Sequence, residues 1–120
     1  FHVLANDVRL EQVFINLISN ALDAMQLSQH KRLKVYCQTD AANLNIHFSD
    51  TGSGIDSDHL LQLFDPFFST KDVGVGLGLG LTISYSIIKT MGGDLSARNS
   101  ASGAVFSIRL RAARKSDRSL

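Results

Sequence analysis

Asn16-Leu17-Ile18-Ser19-Asn20-Ala21-Leu22-Asp23 is the stretch on which the fold turns. It lies inside the apolar series Leu10, Val13, Phe14, Leu17, Ile18, Ala21, Leu22 and Met25. Spacings of three and four residues predict a helix with one buried stripe. Asn6 or Asp7 can cap its start, and Glu11 places a negative charge early in it. Gln12, Asn16, Asn20 and Asp23 fall opposite the stripe. Asparagine forms helix poorly, so two of them one turn apart are unusual on a helix surface. Their amide oxygens are hard, neutral ligands of the kind that can complete the shell of a Mg²⁺ ion. The plain alternative is a polar, solvated helix face.

Outward from this helix the chain alternates two periods. Upstream, residues 1–5 suggest a short strand, and a start at Phe1 rather than Met reads as a piece cut from a longer protein. Downstream, Ser28 to Lys31 is a polar turn. Lys34 to Thr39 and Leu44 to Phe48 read as strands of a hairpin across Asp40 to Asn43. A glycine turn over 49–55 leads to a short helix from about Asp56 to Leu63, which Pro66 stops. Residues 69–78 read as a mobile polar and glycine-rich loop. Leu79 to Met91 is an apolar helix ended by Gly92-Gly93, and Leu95 to Arg98 with Val105 to Leu110 form a closing hairpin. Helix, hairpin, helix, hairpin predicts an α+β fold. It is a two-layer sandwich, with a mixed, mostly antiparallel sheet covered on one face by about three helices. Residues 1–111 form one domain and 112–120 a basic tail, continuing the cluster Arg109, Arg111, Arg114, Lys115 and Arg118.

Composition narrows the function classes. The 120 residues fit one domain, with 44% hydrophobic and 19% charged residues. A net charge of +1 gives no bulk argument for nucleic acid. Cys37 is the only cysteine, which excludes an internal disulfide and fits a reducing compartment. Its place in an apolar alternation suggests a core or sheet thiol rather than a nucleophile. No run approaches the roughly 18 to 20 apolar residues of a membrane span, and no secretory signal is visible. His2, His30, His47 and His59 show no metal-ligand spacing.

Three further motifs follow the helix in order. Asp50-Thr51-Gly52-Ser53-Gly54 puts a lone carboxylate in a glycine turn after a strand. Such a carboxylate can accept from the exocyclic amine of adenine and would repel the carbonyl of guanine. A simple Asp-Gly turn is the plain alternative. Asp-Thr-Gly-Ser also resembles the catalytic loop of aspartic proteases, but those are almost all β, and the helix at 6–26 argues against that reading. Phe64-Asp65-Pro66-Phe67-Phe68 is an apolar anchor from which residues 69–78 could open and close as a lid. Gly74, Gly76, Gly78 and Gly80 alternate near the last helix. The run is neither a dinucleotide fingerprint, since Leu79 takes the final glycine's place, nor a Walker loop. Its bare N–H groups can still cradle phosphates, with Lys71 as a nearby point charge. Hard oxygens, a lone carboxylate and an N–H cradle are the three kinds of group that a metal-bound nucleotide needs.

The ordered set resembles the ATP-binding catalytic domain of sensor histidine kinases, in the GHKL or Bergerat-fold group of ATPases. It matches that group's N, G1, F and G2 boxes over roughly residues 3–110. Asp23-Ala24-Met25 and Phe67-Phe68-Ser69-Thr70-Lys71 are similar to the nitrogen-regulation and C4-dicarboxylate subgroup. The resemblance implies ATP and Mg²⁺ as cofactors, with Asn16 and Asn20 catalytic and Asn20 the metal ligand. It implies Asp50, Gly52 and Gly54 at adenine, and Lys71, Gly74, Gly76, Gly78 and Leu79 around the phosphates. Asp23 departs from a position often basic, Met91 from a frequent His, and Ala104-Val105 from a frequent Gly-Thr. Hydrolysing relatives carry a Glu where Asn16 stands. An amide cannot act as a general base, so phosphoryl transfer is favoured over hydrolysis. The implied partners are a histidine-bearing dimerisation domain of the same parent and a downstream response regulator, with no nucleic acid. The piece itself would be monomeric and make no membrane contact. It would be the cytoplasmic domain of a homodimeric inner-membrane receptor. A non-catalytic nucleotide-binding module and a hydrolysing ATPase of the same group remain as alternatives.

Overall fold

The computed structural model describes residues 7–40, 42–60, 62–64 and 77–111. They form α1 (Asp7–Ala24), β1 (Leu33–Thr39), β2 (Asn43–Asp50), α2 (Ser57–Leu60), α3 (Leu77–Thr90), β3 (Asp94–Asn99) and β4 (Ala104–Arg111). The strand expected at 1–5, Pro66 with its neighbours, the loop through residue 76 and the basic tail at 112–120 lie outside the described residues.

The four strands run in the order β1-β2-β4-β3. Every pairing among them is antiparallel, with Phe48 opposite Val35 and Phe106 at the middle of the sheet. Side chains on a strand alternate between faces. Ile46, Phe48, Phe106, Ile108 and Leu110 therefore point to one side and are buried. The core joins them to Val13 and Leu17 of α1, Leu81 and Ile88 of α3, and Leu95 of β3. Phe14 meets Phe48 edge-on with ring centres 5.5 Å apart. Each such apolar side chain contributes about 1.5–3 kcal/mol by leaving water. α2 spans Ser57–Leu60, shorter than the expected Asp56–Leu63, and Gln62 N–H then turns back to His59 O at 3.1 Å.

The buried stripe of α1 is narrower than its periodicity predicts. Val13, Leu17, Ala21 and Met25 are buried, but Ile18 and Leu22 are 36% and 59% exposed. α1 lies on the sheet and against α3 together. Cover from α3 shifts the buried sector toward Asn16 and Asn20, both half-buried, and leaves the far flank open.

The connections follow from local chemistry. Asp40 Oδ1 accepts the N–H groups of Ala42 (2.8 Å) and Asn43 (2.7 Å), which closes the β1–β2 hairpin. α3 ends where Gly92 takes φ 79°. There Gly93 N–H reaches Ile88 O and Gly92 N–H reaches Lys89 O, each at 3.0 Å, the two bonds of a Schellman cap. On the outer face of the sheet His47 bonds Ser107 Oγ through Nδ1 (2.7 Å) and Gln38 Oε1 through Nε2 (2.9 Å). Partial burial, and then the Arg98 charge, hold its pKa below the ordinary value. Cys37 is an exposed sheet thiol on β1. No helix among the described residues is long and apolar enough to cross a membrane.

Candidate functional site

The second half of α1, the turn after β2, α2 and the start of β4 enclose a cavity of about 440 Å³. Asn20, Asp23, Asp50, Gly54, Leu81 and Phe106 are among its walls. Residues separated by more than 80 positions meet here because β2 pairs with β4 and α1 packs against β2.

Asp50 is the last residue of β2 and only 2% exposed. Its Oδ1 accepts two main-chain N–H groups, from Gly52 (2.9 Å) and Ala104 (3.2 Å). These bonds hold the carboxylate in one rotamer. The other oxygen has no protein partner among the described residues, and Asp50 lines the cavity. A carboxylate so placed is an acceptor for one donor of a bound molecule.

The turn is pressed into place from three sides. A side chain at Gly52 would put Cβ 2.6 Å from Ala24 O, so glycine alone lets the turn reach the end of α1. At Gly54 the backbone takes φ 80°, a conformation that glycine adopts without strain. Beyond it, Asn99 Oδ1 accepts Ile55 N–H and Asn99 Nδ2 donates to Ile55 O, both at 2.7 Å. Thr51 Oγ1 donates to His30 O (2.6 Å) and accepts Arg32 N–H (2.9 Å).

The two asparagines of α1 part company. Asn20 stands in the cavity wall, and its Nδ2 is buried without a partner among the described residues. Asn16 turns to α3 instead, donating from Nδ2 to Ser84 Oγ (3.0 Å) and lying 3.5 Å from Gly80 O. Asp23 is exposed at the cavity rim. α3 begins at Leu77, two residues before the expected start, so Gly78 and Leu79 belong to its first turn. The N–H groups of that turn have no intrahelical acceptor. A side chain built at Gly80 would meet nothing within 4 Å. Lys71, Gly74 and Gly76 lie outside the described residues, as do Phe67 and Phe68. Phe64 stacks on Tyr85 of α3, ring centres 5.1 Å apart at 17°.

Three contributors escape a reading of the sequence. Asn99 looks like a strand end and Ser84 like one polar residue in an apolar helix. Gly103 looks like a turn glycine, yet a Cβ there would lie 2.4 Å from Asp50 O and 2.8 Å from its Oδ1. Gly103, directly ahead of Ala104 at the start of β4, is thus the glycine that makes room for the Asp50 carboxylate. Its available signal was the strand pairing that sets the start of β4 beside the end of β2. Among the described residues no group of three or more His, Cys, Asp or Glu stands close enough to hold a metal. A cation here would rest on an amide oxygen and on oxygens of its own ligand.

The sequence profile of the histidine kinase-, DNA gyrase B- and HSP90-like ATPases matches residues 5–114. The chain is 47% identical over 114 residues to sensor protein FixL of Bradyrhizobium diazoefficiens, covering 92% of this chain and 22% of that protein. It is 40% identical over 110 residues to the C4-dicarboxylate transport sensor protein DctB of Rhizobium meliloti, covering 92% of this chain and 17% of the relative. The chain thus spans about a fifth of the length of these relatives. Among solved structures, the catalytic domain of histidine kinase ThkA superposes with a TM-score of 0.78 at 30% identity, covering 89% of this chain and 68% of that one. The mycobacterial sensor histidine kinase MprB gives 0.77 at 25% identity, covering 91% and 74%.

Proposed function

We propose, since the chain belongs to the histidine kinase-, DNA gyrase B- and HSP90-like ATPase family, that it is the ATP-binding catalytic domain of a sensor kinase that presents the γ-phosphoryl group to a histidine carried elsewhere in its parent. The family and its sensor-kinase relatives make this an ATP-binding domain. The residue roles, the metal and the acceptor are our reading.

The geometry of Asp50 carries it. With Oδ1 engaged by main-chain donors and Asp50 in the cavity wall, the second oxygen is left as the acceptor for the 6-amino group of adenine. Guanine presents a carbonyl there and is repelled. Gly52 and Gly54 keep the turn flat enough for a base to lie against it.

The phosphate half is built on two helices. Asn20 is the candidate metal ligand. Its Nδ2 is a buried amide atom without a partner among the described residues, and a half-turn of the amide puts the carbonyl oxygen in its place. Burying an amide unpaired is costly, so a ligand that completes it fits the site. Mg²⁺ held there would neutralise charge on the phosphate oxygens during transfer. The N–H groups at the start of α3, Gly78 and Leu79 among them, have no acceptor within the helix and offer donors and its positive end to those oxygens. The open space at Gly80 leaves room for close approach. Lys71, Gly74 and Gly76 would complete the phosphate contacts.

Asn16 supports transfer over hydrolysis. It carries an amide and is engaged with Ser84 and Gly80, so it cannot draw a proton from water. Positioning and charge stabilisation suffice for phosphoryl transfer. We further assign residues 1–111 to the catalytic domain and 112–120 to a basic segment leading out of it. The acceptor histidine belongs to a dimerisation domain of the same parent, a homodimeric inner-membrane receptor with this domain on its cytoplasmic side, and a response regulator receives the phosphoryl group in turn.

Calorimetric titration with a non-hydrolysable ATP analogue tests the reading. Binding should require Mg²⁺ for full strength and should not occur with the guanine analogue. Asp50→Asn should weaken it about tenfold or more, the scale of a charged hydrogen bond lost from a buried site. Asn20→Ala should abolish the Mg²⁺ dependence. Equal affinity for the two purines would sink the adenine assignment.

A further inference from the structure

We infer that Ser84 is a positioning residue for the phosphate half of the site, acting through Asn16 to set where α3 lies along α1. Ser84 is 0% exposed and shares its stretch of α3 with the buried Leu81, Ile87 and Ile88. A hydroxyl in such surroundings costs free energy unless it is paired. Its partner is the Asn16 amide at 3.0 Å, which also lies 3.5 Å from Gly80 O, one turn earlier on the same face of α3. The remaining contacts between the two helices include apolar side chains, which hold helices together but tolerate sliding. A directional bond does not.

The two ends of this bond lead to two halves of one site. Asn16 stands one helical turn before Asn20. Ser84 stands one turn after Gly80, which closes the first turn of α3. The Asn16–Ser84 bond therefore fixes the separation between the Asn20 amide and the N–H groups of Leu77, Gly78 and Leu79, which have no acceptor within the helix. A triphosphate with its metal must bridge that separation; adenine, held by Asp50 and the turn after β2, does not feel it. The inference rests on the nucleotide reading above and adds a residue that touches no ligand.

The distinguishing readout is the ratio of two affinities of the 120-residue chain, for a Mg²⁺-bound ATP analogue and for adenosine. Calorimetry measures the first and an NMR titration of backbone amides the second. Ser84→Ala should weaken the triphosphate about two- to tenfold, the range expected for one net hydrogen bond. Adenosine affinity should stay within about twofold. Asn16→Ala should shift the ratio the same way, and the double variant should add little to either. An unmoved ratio in both single variants overturns the clamp. So does equal weakening of both ligands with a falling thermal midpoint, the mark of a general packing role. Additive effects in the double variant overturn it too. The unaltered chain decides the underlying reading separately. If it binds no Mg²⁺–triphosphate, the nucleotide assignment falls and the clamp with it.

Discussion

Asp50 works because its surroundings are almost entirely backbone. Gly52 and Ala104 supply the N–H groups, and Gly103 supplies the room. Gly103→Ala should therefore destabilise the fold by about 1–3 kcal/mol, since the colliding atom is a main-chain oxygen that cannot swing aside. Denaturant unfolding measures this, and an unchanged midpoint would show that β4 can move away. His47 gives a pH prediction. Burial, then Arg98, lower its pKa in the folded chain below the ordinary 6.5, so the unfolded chain takes up the proton first. Stability should be full above about 6.5 and decline as pH falls through the folded-state value. His47→Gln should flatten that decline in thermal melts across pH 4–8. The carboxylate was legible in the sequence because a strand runs into a glycine turn. Gly103 and Asn99 were not. Their importance comes from contacts with residues about 50 positions away, which no local period encodes.

At the scale of elements, hydrophobic spacing predicted both long helices and both hairpins within a few residues. It could not predict which flank of α1 a neighbour would cover, so Ile18 and Leu22 were assigned to the core and Asn16 to the open face. It also read Gly78 as loop and started the helix at Leu79. Each glycine in a helix costs about 1 kcal/mol against alanine, yet burial of Leu81 and Ile88 carries the helix back to Leu77. Packing does not require glycine at position 80, where a side chain would meet open space. Gly80→Ala should raise stability by about 0.5–1 kcal/mol while weakening the ATP analogue severalfold. Gain in both would mean that no ligand approaches the start of α3.

Across the whole molecule, the candidate site is assembled from parts that only the complete sheet brings together. The first half of the chain gives Asn20 and Asp50, and the second gives α3, Asn99 and Gly103. With an amide at position 16, the isolated chain should release phosphate from ATP at no more than a background rate, and a supplied histidine-bearing domain should become labelled. Sustained release without an acceptor in a coupled phosphate assay would assign it to the hydrolysing members of its family. The general class of site was legible from the order of four short motifs, but not the way its halves are locked together. The double bond of Asn99 to Ile55 shows what such locking does. One side chain meets both the donor and the acceptor of a distant peptide, as a neighbouring strand would. The coil after the glycine turn is thereby stitched to the end of β3 and becomes, in effect, a one-residue fifth rung of the sheet. The Asp50 end of the candidate site thus inherits the stiffness of a β-ladder without spending a strand on it, and whatever freedom the site needs to admit and release a ligand comes from elsewhere in its walls.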